Sequence, residues 1–203
     1  MSEFLEFLDG FDEPISVDDV KRNCRIDEDI TDDDTFIQEI IIPGARQMAE
    51  TRTGSIIRPA RFVQRFPRFP ESGRDFPITH GLVKEIESIS FLPLRGSPRI
   101  QLSQDAYESF VIDRETLVCP LTRDWPETGI SPRAVEIVYT AGVGKDDFSS
   151  RFPSVKQWLL LAATWAYDHR SLFVTAKGAH GYQELPDDYV SCLLDPITLA
   201  TRF

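Results

Sequence analysis

The chain has 203 residues, enough for one large domain or a core with an insertion, and its hydrophobic content of 41% is that of a folded globular protein. Its net charge of −11 excludes a domain that grips nucleic acid by its phosphates, because that binding draws on Lys and Arg, and it disfavours an anionic membrane surface. No apolar run approaches the length of a membrane span.

Residues 1–14 carry Glu3, Glu6, Asp9, Asp12 and Glu13 and no Lys or Arg, so a secretory signal is not expected there. Phe4, Leu5, Phe7, Leu8 and Phe11 are interleaved with these acids. The stretch reads as a mobile acidic arm or as a short amphipathic segment that docks on a partner or a neighbouring subunit. Ser16-Val-Asp-Asp19 fits a helix start, with Ser16 as the cap, and the first helix then runs to about residue 25. The run Asp27-Glu-Asp-Ile-Thr-Asp-Asp-Asp34 lacks the central Gly and closing Glu of a calcium loop, so it reads as a turn leading into a second helix. That helix is predicted over residues 33–53, with Phe36, Ile37, Ile40, Ile41, Ala45, Met48 and Ala49 as its buried stripe. Pro43-Gly44 falls inside it and predicts a kink or a break, and Gly54 is a natural stop.

Between residues 56 and 139 the hydrophobic period becomes two. Strands are predicted at 60–66, 76–79, 83–91, 99–102, 109–113, 116–120 and 134–140, too close together for crossover helices and hence antiparallel. Arg58, Arg61, Arg65, Arg68 and Arg74 make the first part basic, either as a solvated strand face or as a contact patch for an acidic surface. Gly142 and Gly144 end the last strand, and 145–150 reads as a polar turn.

The longest clean pattern follows. Pro153 sits near the first turn of a helix reaching Arg170, with Val155, Trp158, Leu159, Ala162, Trp165, Ala166 and His169 on one face. Leu160, Leu161 and Ala163 widen that face, so the helix is expected to pack on more than one neighbour, in its own chain or in others. Residues 173–183 read as a loop, 186–194 as a short final helix stopped by Pro196, and 197–203 as a tail. The fold class is α+β: a core of about four helices with an antiparallel β segment inserted between the second helix and the long one. The organisation expected is an arm at 1–14, helices at 15–54, a β subdomain at 55–144, helices at 145–196 and a tail at 197–203.

Chemistry is hard to place. Cys24, Cys119 and Cys192 lie far apart, without metal-type spacing, and are expected to be reduced, buried thiols. His80, His169 and His180 share no zinc-type spacing with Cys or with each other. Asp168 and His169 are adjacent, so on a helix they point apart and make a poor acid–base pair. There is no Gly-x-Ser-x-Gly elbow and no phosphate loop, and Gly142-Val-Gly144 lacks the rest of a dinucleotide fingerprint. No enzyme, cofactor or metal is expected. A small hydrolase using Asp168 or His169 and a monomeric β-rich binding module are the competing readings.

The order of motifs resembles the tailed-phage head–tail connector family (adaptor or head-completion proteins), in its longer members with a β insertion. The matching stretches are Ser16-Val-Asp-Asp-Val-Lys-Arg-Asn-Cys-Arg-Ile-Asp27, Asp33-Asp-Thr-Phe-Ile37, and Ala45-Arg-Gln-Met-Ala-Glu-Thr-Arg-Thr-Gly54. Trp125-Pro126, Val138-Tyr-Thr-Ala-Gly142, Phe152-Pro-Ser-Val-Lys156 with its helix, and Leu193-Leu-Asp-Pro196 complete the series. Pro43-Gly44 departs from the small helix formers expected there, and the acidic arm lies outside the match.

The resemblance implies a ring of about twelve subunits under the portal vertex, in the neck of a virion assembled in the host cytoplasm. Duplex DNA would pass through it without specific binding, and tail or neck-completion proteins would dock below. The family's portal contacts, carried onto this chain, fall on 187–194 and on Leu199, Arg202 and Phe203. Trp158, Leu161 and Trp165 are the expected subunit or core interface. A tail-side neck or tail-completion ring is the neighbouring alternative. The acidic charge suits a conduit, because a negative wall repels phosphate and lets DNA slide.

Overall fold

The computed structural model describes residues 2–8, 13–70, 76–96, 98–104, 111–113, 116–118, 125–143, 145–169 and 187–199. The chain divides into two units: a β unit of Met1–Phe11, Gly54–Val143 and Leu199–Phe203, and a helical unit of Asp12–Thr53 and Gly144–Thr198. The α+β class and the β segment between the second and the long helix are as the sequence predicts.

The β unit contains strands β1 Ser2–Phe7, β2 Ala60–Phe66, β3 Phe76–Pro77, β4 Val83–Phe91, β5 Ile100–Gln101, β6 Val111–Asp113, β7 Thr116–Val118 and β8 Val135–Ala141. Five form one sheet in the order β1-β2-β8-β4-β5, and three form a second in the order β3-β7-β6. All of these pairings are antiparallel. In β8, Val135, Ile137, Tyr139 and Ala141 alternate inward and are buried, which is the two-residue period made physical. They meet Phe62 from β2 and Ile89 and Phe91 from β4 in one apolar cluster, over which Phe69 and Trp125 stack with centroids 4.6 Å apart. Gln64 is buried as well, and its side-chain oxygen accepts the Thr79 N–H at 2.9 Å.

The first residues are an edge strand, not a loose arm. In its pairing with β2, Phe4 lies opposite Phe62 and Glu6 opposite Arg61, so Leu5 is an extra residue, a β-bulge. The bulge resets the alternation. Without it Glu3 and Glu6, three residues apart, would point to opposite faces. With it, Glu6 pairs with Arg61 at 3.2 Å and Glu3 pairs with Arg65. Phe4 and Phe7 meet edge to face at 4.9 Å, and Phe4 meets Phe62 at 5.9 Å. The other side of each arginine is held by Glu87 and Glu136, at 2.7 and 2.8 Å. The acidic surface sought by these arginines is therefore the chain's own. Arg65 beside Glu3 holds that carboxyl below its usual range, and the glutamates raise both guanidinium pKa values. Arg58 instead lies over the Phe7 ring at 4.2 Å, and Arg74 falls outside the described residues.

The strand after which the sheet ends needs its glycine. Gly142 has φ of 118°, and a Cβ there would come within 2.5 Å of the Pro59 backbone.

The helical unit contains α1 Val17–Cys24, α2 Asp34–Phe36, α3 Ile42–Thr53, α4 Lys145–Arg151, α5 Pro153–Asp168 and α6 Asp187–Cys192. Ser16 caps α1 in a full capping box: its hydroxyl accepts the Asp19 N–H and its own N–H donates to the Asp19 carboxylate, both at 3.1 Å. Between α2 and α3 the helix does not break at Pro43. Residues Ile37–Ile41 widen into a π-helical turn, in which the Ile42 N–H reaches back to the Ile37 carbonyl. The wider turn accommodates a proline that has no N–H to give. Residues 145–150, expected as a polar turn, belong to α4, whose Phe148 is fully buried near Phe152 with centroids 6.0 Å apart. Cys24 and Cys192 are free thiols, Cys192 exposed rather than buried, and Cys119 lies outside the described residues.

Two cations are buried here. The Arg46 guanidinium donates to Glu13 at 2.8 Å and to Glu50 at 2.6 Å. Lys21 donates to Asp34 and to the Glu28 carbonyl, each at 3.1 Å. Burying a charge is tolerable only when it is matched this closely. Arg46→Ala strands two sheltered carboxylates and is expected to cost about 3–5 kcal/mol of unfolding free energy, read from urea denaturation. A loss below about 1 kcal/mol would show that the trio contributes little.

Candidate functional site

The long helix α5 was the expected interface, and its geometry separates the residues assigned to it. Trp158 is 3% exposed, packed in the helical unit, with the Arg52 guanidinium 5.9 Å from its ring centroid. Its indole N–H is buried without an acceptor among the described residues. Leu161 is half-buried. Trp165 is 64% exposed, although it lies two turns beyond Trp158 on the same helical face. Its ring stacks on His169 at 4.7 Å and 17°, and His169 Nδ1, placed to donate, lies 2.9 Å from the Trp165 carbonyl oxygen. Trp158 is therefore core, and Trp165 with His169 is a displayed aromatic pair.

A second stripe of α5 is polar and was not read from the sequence. Lys156 pairs with Asp19 at 3.3 Å, Asn23 donates to Thr164 at 2.6 Å and to the Leu160 carbonyl at 3.4 Å, and the Tyr167 hydroxyl donates to Asp33 at 2.7 Å. Positions 156, 160, 164 and 167 follow helical spacing, so this stripe ties α5 to α1 and the turn after it. The signal was present in the Lys, Thr and Tyr positions but was masked by the dominant apolar pattern.

Burial pushes the Asp19 carboxyl up, but hydrogen bonds from the Ser16 backbone and Lys156 outweigh it and leave its pKa below the usual Asp value. Burial against Phe62, 4.5 Å away, pushes the His80 imidazole down in the β unit.

Among the described residues the Asp168 side chain has no hydrogen-bond or ion-pair partner, and His169 stacks on Trp165, so the two do not assemble as an acid–base pair. His180 lies outside the described residues, as do Arg202 and Phe203. Among the described residues no group of His, Cys, Asp and Glu is arranged to hold a metal, and no helix is long and apolar enough to cross a membrane. Leu199 is half-buried in the β unit: a Cβ on Gly54 or Gly81 would meet its side chain at 3.1 or 2.6 Å. The two glycines thus form its seat.

No family model matches this chain, and no curated protein does. Solved structures do share its fold. A chain in the neck of an empty gene transfer agent (GTA) particle computed with C6 symmetry superposes with TM-score 0.72 at 16% identity, covering 100% of this chain and 97% of that one. A chain in the virion of a native GTA particle gives TM-score 0.72 at 18% identity, with the same coverage. A chain in the neck of a native GTA particle computed with C12 symmetry gives 0.69 at 18% identity, again with that coverage. At such identities the likeness establishes the fold, over all of this chain and 97% of each of those.

Two expectations follow from α5. Trp158→Ala should cost about 3–5 kcal/mol in chemical denaturation, and Trp165→Ala should stay within about 0.5 kcal/mol of wild type. Because the folded Asp19 pKa is lowered, its contribution is complete above the unfolded Asp value of about 4 and disappears as pH falls through the folded value. Asp19→Asn should therefore lower stability at neutral pH and flatten the acid limb of a stability-versus-pH curve. An unchanged limb would assign the acid sensitivity elsewhere.

Proposed function

We propose that this chain is a structural subunit of the neck of a tailed-phage-like particle. It acts as a head–tail connector: a ring under the portal vertex through which DNA passes and on which tail components dock. The observation that carries the reading is the agreement of fold, end to end, with chains from GTA necks and virions. The C6 and C12 symmetries of those necks support a ring, here of about twelve copies. The net charge of −11 supports a conduit from which phosphate is repelled. In this reading the protein makes and breaks no bonds, and it works by shape, by contact and by repulsion.

Trp165 is the α5 residue proposed to touch a neighbouring subunit, because it alone of the three candidates is largely exposed. Portal contact is proposed for Leu199, Arg202 and Phe203. The seat of Leu199 on Gly54 and Gly81 gives that segment a fixed starting point.

Electron microscopy of the purified chain mixed with its portal tests the proposal. Rings coaxial with the portal are expected. Rings that bind only tail components would make it a tail-side completion protein instead. Trp165→Asp should fold as wild type and give fewer rings. A chain ending at Leu199 should still fold and should lose portal binding.

A further inference from the structure

The β4–β5 end of the five-stranded sheet displays large aliphatic side chains on a tightly held backbone. Ile130 is 107% exposed and Leu94 63%, with Ile100 of the edge strand also exposed. Ordinary surface loops do not hold such residues out on fixed turns. Here Pro93 and Thr128 form an isolated antiparallel bridge, and the Gly129 N–H donates to the Leu92 carbonyl at 2.9 Å. Gly129 has to be glycine, since a Cβ would lie 2.8 Å from the Pro93 oxygen. The Gly96 N–H closes the neighbouring turn on Pro93 at 2.8 Å, and the Arg99 guanidinium clamps the carbonyls of Arg133 and Ala134 at 2.8 and 3.3 Å. The ordering entropy that binding usually costs has largely been met in advance. Arg95 and Arg133 are exposed at this end, and Arg95 has no ion pair among the described residues. Stretches 92–101 and 126–134 hold three arginines (Arg95, Arg99, Arg133) against Glu127, an excess of two positive charges on a chain at −11.

The helical unit presents the opposite surface. Ile30 is 50% exposed in the turn after α1, with Asp27, Asp29 and Asp32 exposed around it and without ion pairs among the described residues. This turn is held as well: Lys21, buried beneath it, binds the Glu28 carbonyl and the Asp34 carboxylate, and the Ile30 N–H donates to Asp27 at 3.2 Å.

We propose that the β4–β5 end of one copy docks on the 27–32 turn of the next copy. Ile130 and Leu94 meet Ile30, and Arg95 and Arg133 meet Asp27, Asp29 and Asp32. The occupant is a second copy because one chain carries both halves, apolar centre to apolar centre and basic rim to acidic rim. Two different patches in contact make a heterologous interface, the kind that repeats around a rotation axis and closes a ring. This inference rests on the ring reading above and supplies its contact.

Ile130→Asp and Ile30→Lys each remove one half and leave the other intact. Sedimentation velocity, and electron microscopy on the portal, are run on wild type, on each variant and on their equal mixture. Circular dichroism of each variant should match wild type. Wild type should form rings. Each variant alone should remain a single chain, and the mixture should stop at a two-chain complex joined by the two intact halves. Higher ionic strength should weaken that complex. If either variant forms rings at wild-type yield, or the mixture holds only single chains, this interface is wrong and the ring reading survives. If wild type forms no ring in either assay, both are wrong.

Discussion

Inside the helical unit one ammonium group, that of Lys21, has to be neutralised out of reach of water. The capping box at Ser16 fixes where α1 begins, and so fixes which residue of the helix faces inward there. Once Lys21 faces inward, the acidic stretch that follows has little choice of path. It must bring a carbonyl from Glu28 and a carboxylate from Asp34 back over the buried charge. A run of six acids that would repel itself as a free loop becomes a fixed turn because part of its charge is used from below. Asp33 accepts from Tyr167, and Asp27, Asp29 and Asp32 stay exposed around Ile30. Stability and surface character there have one cause.

The β unit solves a related problem in another way. Its outward face carries arginines on β2 that are flanked by glutamates on three other strands, so an acid–base–acid pattern runs across the sheet. Exposed pairs of this kind add little stability individually. Their effect is on register, because β1 can satisfy Arg61 and Arg65 together only with Leu5 bulged out. The same bulge sends Phe4 and Phe7 to the other side of the strand.

Much of this was legible in the sequence, and the failures have specific causes. Strands at 60–66 and 83–91 stood out because β-branched and aromatic residues alternate there, and the long helix stood out because Pro153 starts it and its apolar residues keep helical spacing. β1 was not legible. Its bulge turns a period of two into a spacing of three for both the acids and the phenylalanines, which mimics a loose amphipathic segment. α4 was hidden by Lys145-Asp-Asp, whose polarity reads as a turn, while its single buried anchor, Phe148, carries no periodicity by itself. Trp158 and Trp165 share a helical face by arithmetic. Only tertiary packing decides that one is enclosed and the other is displayed. The tip at Leu94 and Ile130 could not be foreseen either, because it joins turns more than thirty residues apart through contacts such as the Pro93–Thr128 bridge.

The position of β8 in the sheet has a consequence for synthesis. It lies between β2 and β4, yet it is the last of the five strands to leave the ribosome. Until residues 135–141 emerge, the two strands beside it have no partner for one edge each, and the apolar cluster lacks Val135, Ile137, Tyr139 and Ala141. A nascent chain of this protein therefore holds its sheet open for most of its translation. The decisive event is the late insertion of one segment into a waiting slot, a long-range step that is slow and exposes sticky edges meanwhile.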